Sequence, residues 1–122
     1  MCFGCGKDNP IGLKLKFKIE GETASGEFAP DIVHQGYGGI VHGGIMASFL
    51  DEAAGRPLYD LGENSVTAKL DVRFLKPAKT GETIRICCKV KERKGRMIIT
   101  LFQAFNAADE LLAEAEAIFV IP

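Results

Sequence analysis

The stretch His42-Gly43-Gly44-Ile45-Met46-Ala47-Ser48-Phe49-Leu50-Asp51-Glu52-Ala53-Ala54 decides how this chain is read. From Ile45 to Ala54 apolar residues fall on nearly every face of a helix, so that helix is expected to be buried all round. Gly55 and Pro57 follow and are expected to end or kink it. Before it, Gly36, Gly38, Gly39, Gly43 and Gly44 crowd the segment from His34 to Gly44. Glycines at that density allow close backbone approaches that side chains forbid, so the segment reads as a built loop.

Outward from this centre the period changes from helical to alternating. Leu13, Leu15, Phe17 and Ile19 alternate with Lys14, Lys16, Lys18 and Glu20, as in a strand with one buried face. Gly21-Glu22 reads as a turn, and Thr23 to Ala29 as a return strand ended by Pro30, which has no ladder donor. Three further alternating segments are Val66 to Phe74, Glu82 to Lys91 and Arg96 to Phe105, separated by Pro77 to Gly81 and the Lys94-Gly95 turn. Leu111 to Ile121 carries two signals. Its Leu-Ala-Glu-Ala-Glu-Ala run favours helix by propensity and strand by alternation. The β-branched and aromatic residues from Ile118 to Ile121 decide for strand. One buried helix among antiparallel strands is an α+β pattern.

The chain has 122 residues, and one domain spanning residues 1–122 around one core is expected. Fifteen Lys and Arg against 16 Asp and Glu leave a formal charge of -1, which argues against nucleic acid or an anionic membrane as partner. No apolar run approaches the roughly 18 residues of a membrane span, so a cytoplasmic protein is expected. Four cysteines fall as two close pairs, Cys2 with Cys5 and Cys87 with Cys88, unlike a spread disulfide framework. Cys2-Phe3-Gly4-Cys5 has the form of half a zinc site, but no second pair stands at finger-like spacing. Packed thiols, with no metal and no cofactor, are the expectation.

Two features carry chemistry. Free N–H groups at a helix start favour negative charge, and Gly43-Gly44 would let a ligand reach that backbone. A plain glycine-rich start to the helix is the other reading of the same residues. Asp51 puts an ionisable group on the most apolar helix of the chain, which is costly without a purpose or a partner. Pairing with Arg56, or a polar stripe with Ser48 and Glu52, would explain it without function. Glu52 is the rival carboxylate and reads as solvated or structural.

His42-Gly43-Gly44 with Asp51 nine residues after the histidine resembles the hotdog-fold thioesterases of the phenylacetic-acid-degradation and human thioesterase-superfamily groups. Cys2 to Phe17 and the loop His34 to Gly44 resemble the corresponding segments of that superfamily. The resemblance implies a hotdog fold, one long central helix wrapped by a curved antiparallel sheet, and hydrolysis of acyl-CoA by homodimers or dimers of dimers. It implies Asp51 as nucleophile or general base, Gly43 as oxyanion-hole donor with His42 shaping the turn, and Thr67 orienting water. One departure stands out. Several relatives carry Asn or Gln six residues before the histidine, where this chain has Gly36, with Gln35 adjacent.

Coenzyme A brings phosphates, for which Arg73, Lys76 and Lys79 at a strand exit offer cationic partners. Gly43 and Asp51 are eight residues apart on one helix, or about 12 Å at the usual rise. One carbonyl cannot meet both, so a site shared across a two-fold interface is expected. Binding of acyl thioesters without hydrolysis, and hydration of an enoyl group on the same fold, are the competing expectations.

Overall fold

Alternation leaves each strand one face to bury, and that requirement builds the architecture. The computed structural model describes residues 2–4, 6–13, 15–60 and 64–122, with the side chains of 57–60 set aside. Cys5 of the C-x-x-C and Lys14 of the first alternation lie outside the described residues. The elements in chain order are β1 (Lys16–Glu20), β2 (Thr23–Phe28), a 3-10 turn at Ile32–His34, α1 (Gly43–Asp60), β3 (Val66–Phe74), β4 (Ile84–Lys94), β5 (Met97–Phe105) and β6 (Leu111–Val120). The strands form one antiparallel sheet of order β1-β2-β4-β5-β6-β3. Because α1 touches all six strands, the sheet must curl around it.

The core lies between α1 and the inner face of that sheet. Phe49, Leu50, Ala53 and Ala54 of α1 have no exposed surface, and they meet Ile84, Ile86, Ile98, Phe102 and Phe119 from the strands. Ala104, Ala113 and Ala117, also fully buried, keep the facing strands small so that helix and sheet approach closely. The Phe28 ring lies 5.3 Å from the Phe49 ring, closing the core at β2.

Two local expectations gave way to tertiary contacts. Of the end or kink expected at Gly55 and Pro57, the end does not occur, since α1 runs on to Asp60. Proline has no N–H to give to the carbonyl four residues back, which is that of Ala53. Here the Cys88 thiol supplies the missing donor, 3.0 Å from the Ala53 carbonyl oxygen. Burial pushes the Cys88 thiol up to about 12, so it keeps the proton this bond needs. At Gly55, an added Cβ would stand 3.3 Å from the Phe119 ring, so the glycine makes room for a core aromatic rather than ending the helix.

The first alternating segment also splits. Leu13 and Leu15 are buried as their period requires, but β1 begins only at Lys16. The Leu13 and Leu15 N–H groups donate instead to the carbonyls of Phe3 and Gly4, at 2.7 and 2.8 Å, tying down the amino-terminal arm. The ambiguous run at Leu111 is a strand with a neighbour on each side, and two sets of ladder bonds outweigh its helical propensity.

Candidate active site

The loop before α1 is a small hairpin. Gln35 bridges Val41, Gly36 N–H donates to the Ile40 carbonyl at 2.8 Å, and His42 N–H to the His34 carbonyl at 2.8 Å. The Gln35 side-chain oxygen accepts from Gly39 N–H at 3.2 Å, so this residue braces the loop tip. Val41 N–H donates to the Ala78 carbonyl and Thr80 N–H to that of Gly39, fixing the loop against the β3–β4 connection.

His42 then caps the helix. Its Nδ1 accepts from Gly44 N–H at 2.9 Å, the role a Ser or Asp oxygen usually takes, and the imidazole proton therefore sits on Nε2. The ring lies in a slot between two glycines. An added Cβ at Gly44 would be 3.1 Å from Nδ1, and one at Gly36 would be 3.5 Å from Cδ2. Gly36, read from the sequence as a missing amide, is thus part of the wall beside the His42 ring.

Gly43 N–H has no hydrogen-bond partner among the described residues, and a Cβ built there meets nothing within 4 Å. The first turn of α1 holds no acidic residue to neutralise the helix dipole. An open donor at an uncompensated helix start can take a developing oxyanion.

Two turns further on, Thr67 Oγ1–H donates to Asp51 Oδ1 at 2.7 Å. Asp51 is half-buried on α1, and Thr67 stands at the start of β3, where a register shift between Thr67 and Lys69 interrupts the pairing with β6. Such a bulge re-aims a side chain. Glu52 points elsewhere. Its carboxylate accepts from the Cys2 thiol, with Oε1 at 3.7 Å and Oε2 at 3.8 Å, and it presses on Gly4, where a Cβ would come within 2.6 Å of it. The two adjacent carboxylates are thereby separated, Asp51 toward a hydroxyl at the sheet edge and Glu52 toward the amino-terminal arm.

The cations do not gather with this pair. Arg73 lies 3.6 Å from Glu114 on the outer face of the sheet. Lys76 binds Glu110, and that hydrogen bond, with a second from Asn106, holds the Glu110 carboxyl below the usual carboxylate range. Lys76 and Lys79 line a cavity of about 510 Å³ with Glu82 and Asn106. A larger cavity, about 850 Å³, opens on the outer face and includes neither Asp51 nor Gly43. Sequence reading missed the turn of Ser48, whose hydroxyl donates to the Gly44 carbonyl at 2.9 Å, although their four-residue spacing signals it.

A buried helix in a curled sheet, with a glycine-rich loop feeding its start, defines a class. The chain belongs to the thioesterase superfamily, whose family model matches residues 38–113, and its fold is the hotdog fold. The acyl-coenzyme A thioesterase THEM4 of Xenopus laevis is 32% identical over 94 residues, which cover 76% of this chain and 42% of that protein. This chain spans about half the length, or less, of most of the curated relatives it matches. Among solved structures, the thioesterase superfamily protein RHA08564 superposes with a TM-score of 0.86 at 27% identity, over 94% of this chain and 60% of that one. The smu.793 protein of Streptococcus mutans, bound to acetyl CoA, superposes with a TM-score of 0.86 at 17% identity, over 98% and 97%.

Proposed function

We propose that this chain hydrolyses acyl-CoA thioesters, with Asp51 as the catalytic carboxylate. The observation that carries the reading is the Thr67 hydroxyl bound to Asp51 Oδ1 at 2.7 Å. This bond orients the carboxylate and leaves Oδ2 to take a proton from water or to attack the thioester carbon itself. Charge then develops on the carbonyl oxygen, and a preorganised N–H such as that of Gly43 contributes on the order of 3 kcal/mol to holding it. His42 keeps that donor in place by capping Gly44. Thiolate is a fair leaving group, so one carboxylate suffices. The naming of the Xenopus relative and the acetyl CoA in the Streptococcus mutans protein support this substrate class.

The active unit in this reading is a homodimer. Asp51 and Gly43 of one chain stand about 12 Å apart along α1, too far to serve one carbonyl. Thr67 sits on β3, an edge strand that leaves Val66 57% and Phe74 53% exposed. A second copy joined at that edge would cover it and bring its own helix start to Asp51.

Two measurements test the proposal. Release of thiol from a panel of aliphatic and aromatic acyl-CoA substrates is expected, and its absence for every thioester would remove the hydrolase reading. Asp51→Ala and Gly43→Pro are each expected to be inactive, proline keeping the first helical position while deleting the donor. An isolated mixed dimer of the two should regain about half the native rate, because both lesions fall in one site. A mixed dimer as inactive as its parents overturns the shared site.

A further inference from the structure

Five glycines between His34 and Gly44 leave the loop before α1 little stiffness of its own, so the aim of its last N–H groups depends on what holds them. The bonds to the β3–β4 connection reach Val41 and stop there. Beyond it, the His42 N–H donates to the His34 carbonyl at 2.8 Å, and the Gly44 N–H donates to His42 Nδ1 at 2.9 Å. Gly43 lies between two N–H groups that are both held. Its own N–H shares a peptide unit with the His42 carbonyl, which accepts from Met46 N–H at 3.0 Å in the first turn of α1. Helix ends fray, so that one bond fixes the unit firmly only if His42 is also held from upstream. His34 is what holds it.

We infer that His34 is the positioning residue that aims the Gly43 N–H, an inference that rests on the reading of Gly43 as the oxyanion donor. His34 is half-buried while Ile32 and Val33 beside it are exposed, the inverse of what hydropathy alone would place. Its Nδ1 accepts from the Asp31 N–H at 2.9 Å, and its own N–H donates to the Asp31 carbonyl at 2.9 Å. Ring and backbone of one residue are thus fastened to one neighbour, which sets the direction of the His34 carbonyl. The Asp31 carboxylate, accepting from Ile32 N–H at 2.7 Å, closes the turn. The His34 ring stands edge-on to Phe28 with centroids 5.2 Å apart, and Phe28 lies against Phe49 at 5.3 Å. Phe49 is fully buried on α1, so His34 links the core face of the helix to the helix's own start. Deleting the Nδ1 acceptor frees the turn, and the His34 carbonyl then loses its fixed direction toward His42. A donor aimed wrongly costs rate more than binding, because it acts when charge develops on the carbonyl oxygen.

Two substitutions separate the acceptor from the ring. His34→Phe keeps a ring against Phe28 and deletes the acceptor, while His34→Asn deletes the ring and places an amide oxygen where Nδ1 stands. Amide hydrogen exchange followed by NMR reads the loop without any substrate. In His34→Phe the His42 and Gly44 N–H groups should lose protection by about tenfold, with the core amides of β5 unchanged, and in His34→Asn they should stay within about threefold of wild type. Thiol release should follow the same order, kcat falling about tenfold in His34→Phe with KM within about twofold, and staying near wild type in His34→Asn. Unchanged protection at His42 and Gly44 in His34→Phe overturns the inference, and so does a wild-type kcat in that variant. It fails equally if His34→Asn behaves as His34→Phe does, because the acceptor is then not what holds the loop. A wild type that releases no thiol, with the exchange pattern as expected, removes the thioesterase reading and leaves His34 as the residue that sets the Gly43 N–H.

Discussion

The two faces of the sheet are made by the same alternation and held to different standards. On the inner face Ile98, Ala104, Ala113 and Ala117 are fully buried against Phe49 and Leu50 of α1, and every atom must fit. Outward, Lys18, Arg73, Lys89 and Glu116 are solvated, and an exposed ion pair such as Arg73–Glu114 is worth only about 0–1 kcal/mol. Inner residues therefore set whether the chain folds, and outer ones are free to choose what it meets. The few polar groups on the inner side are the informative exceptions. Asp51 has a hydroxyl partner at the edge, the Cys88 thiol has a carbonyl that proline left bare, and Thr100 has none among the described residues.

The sharpest contrast should come from Asp51→Asn, which keeps size and removes charge. Thiol release should fall at least about a hundredfold with the melting temperature little changed. Glu52→Gln, altering the neighbour that Cys2 and Gly4 engage, should leave turnover close to wild type. The reverse pattern would move the chemistry to Glu52. Thr67→Val, which deletes the hydroxyl and keeps the shape, should lower turnover by about tenfold, and full activity across several substrates would remove Thr67 from the site.

Cys88→Ala should cost about 2 kcal/mol in a denaturant titration at pH 7, through a small void and an unpaired Ala53 carbonyl. The pH dependence has a definite sign. The thiol is raised from 9.0 to about 12 in the folded chain, so folding favours its protonated form. That contribution is complete below about pH 9 and is lost as pH rises from there toward 12. The stability gap between wild type and Cys88→Ala should narrow over this window, and a gap constant to pH 11 would contradict the buried thiol donor.

The smallest effect is expected at Thr100, whose fully buried hydroxyl has no partner among the described residues. Thr100→Val should raise stability by about 1 kcal/mol, measured by the same titration. A loss instead would mean that the hydroxyl is satisfied in solution, by a buried water.

The sequence by itself determined which residues face the core, because a period of two or a run of apolar residues on a helix is a local property. The loop from His34 to Gly44, the buried helix and the strand at Leu111 were all legible in that way. So was the setting of the candidate site, an open glycine at a helix start with a carboxylate two turns on. Only the tertiary structure decided where that carboxylate points. Asp51 and Glu52 are chemically alike and adjacent, and they part company because Thr67, 16 residues away, reaches one while Cys2, 50 residues away, reaches the other. The same holds for the end of α1. Gly55 and Pro57 are stop signals whenever water is the neighbour, but Phe119 fills the space at the glycine and Cys88, 35 residues from Ala53, replaces the lost donor. A local rule states what a residue prefers against solvent, and packing changes the surroundings to which that preference applies.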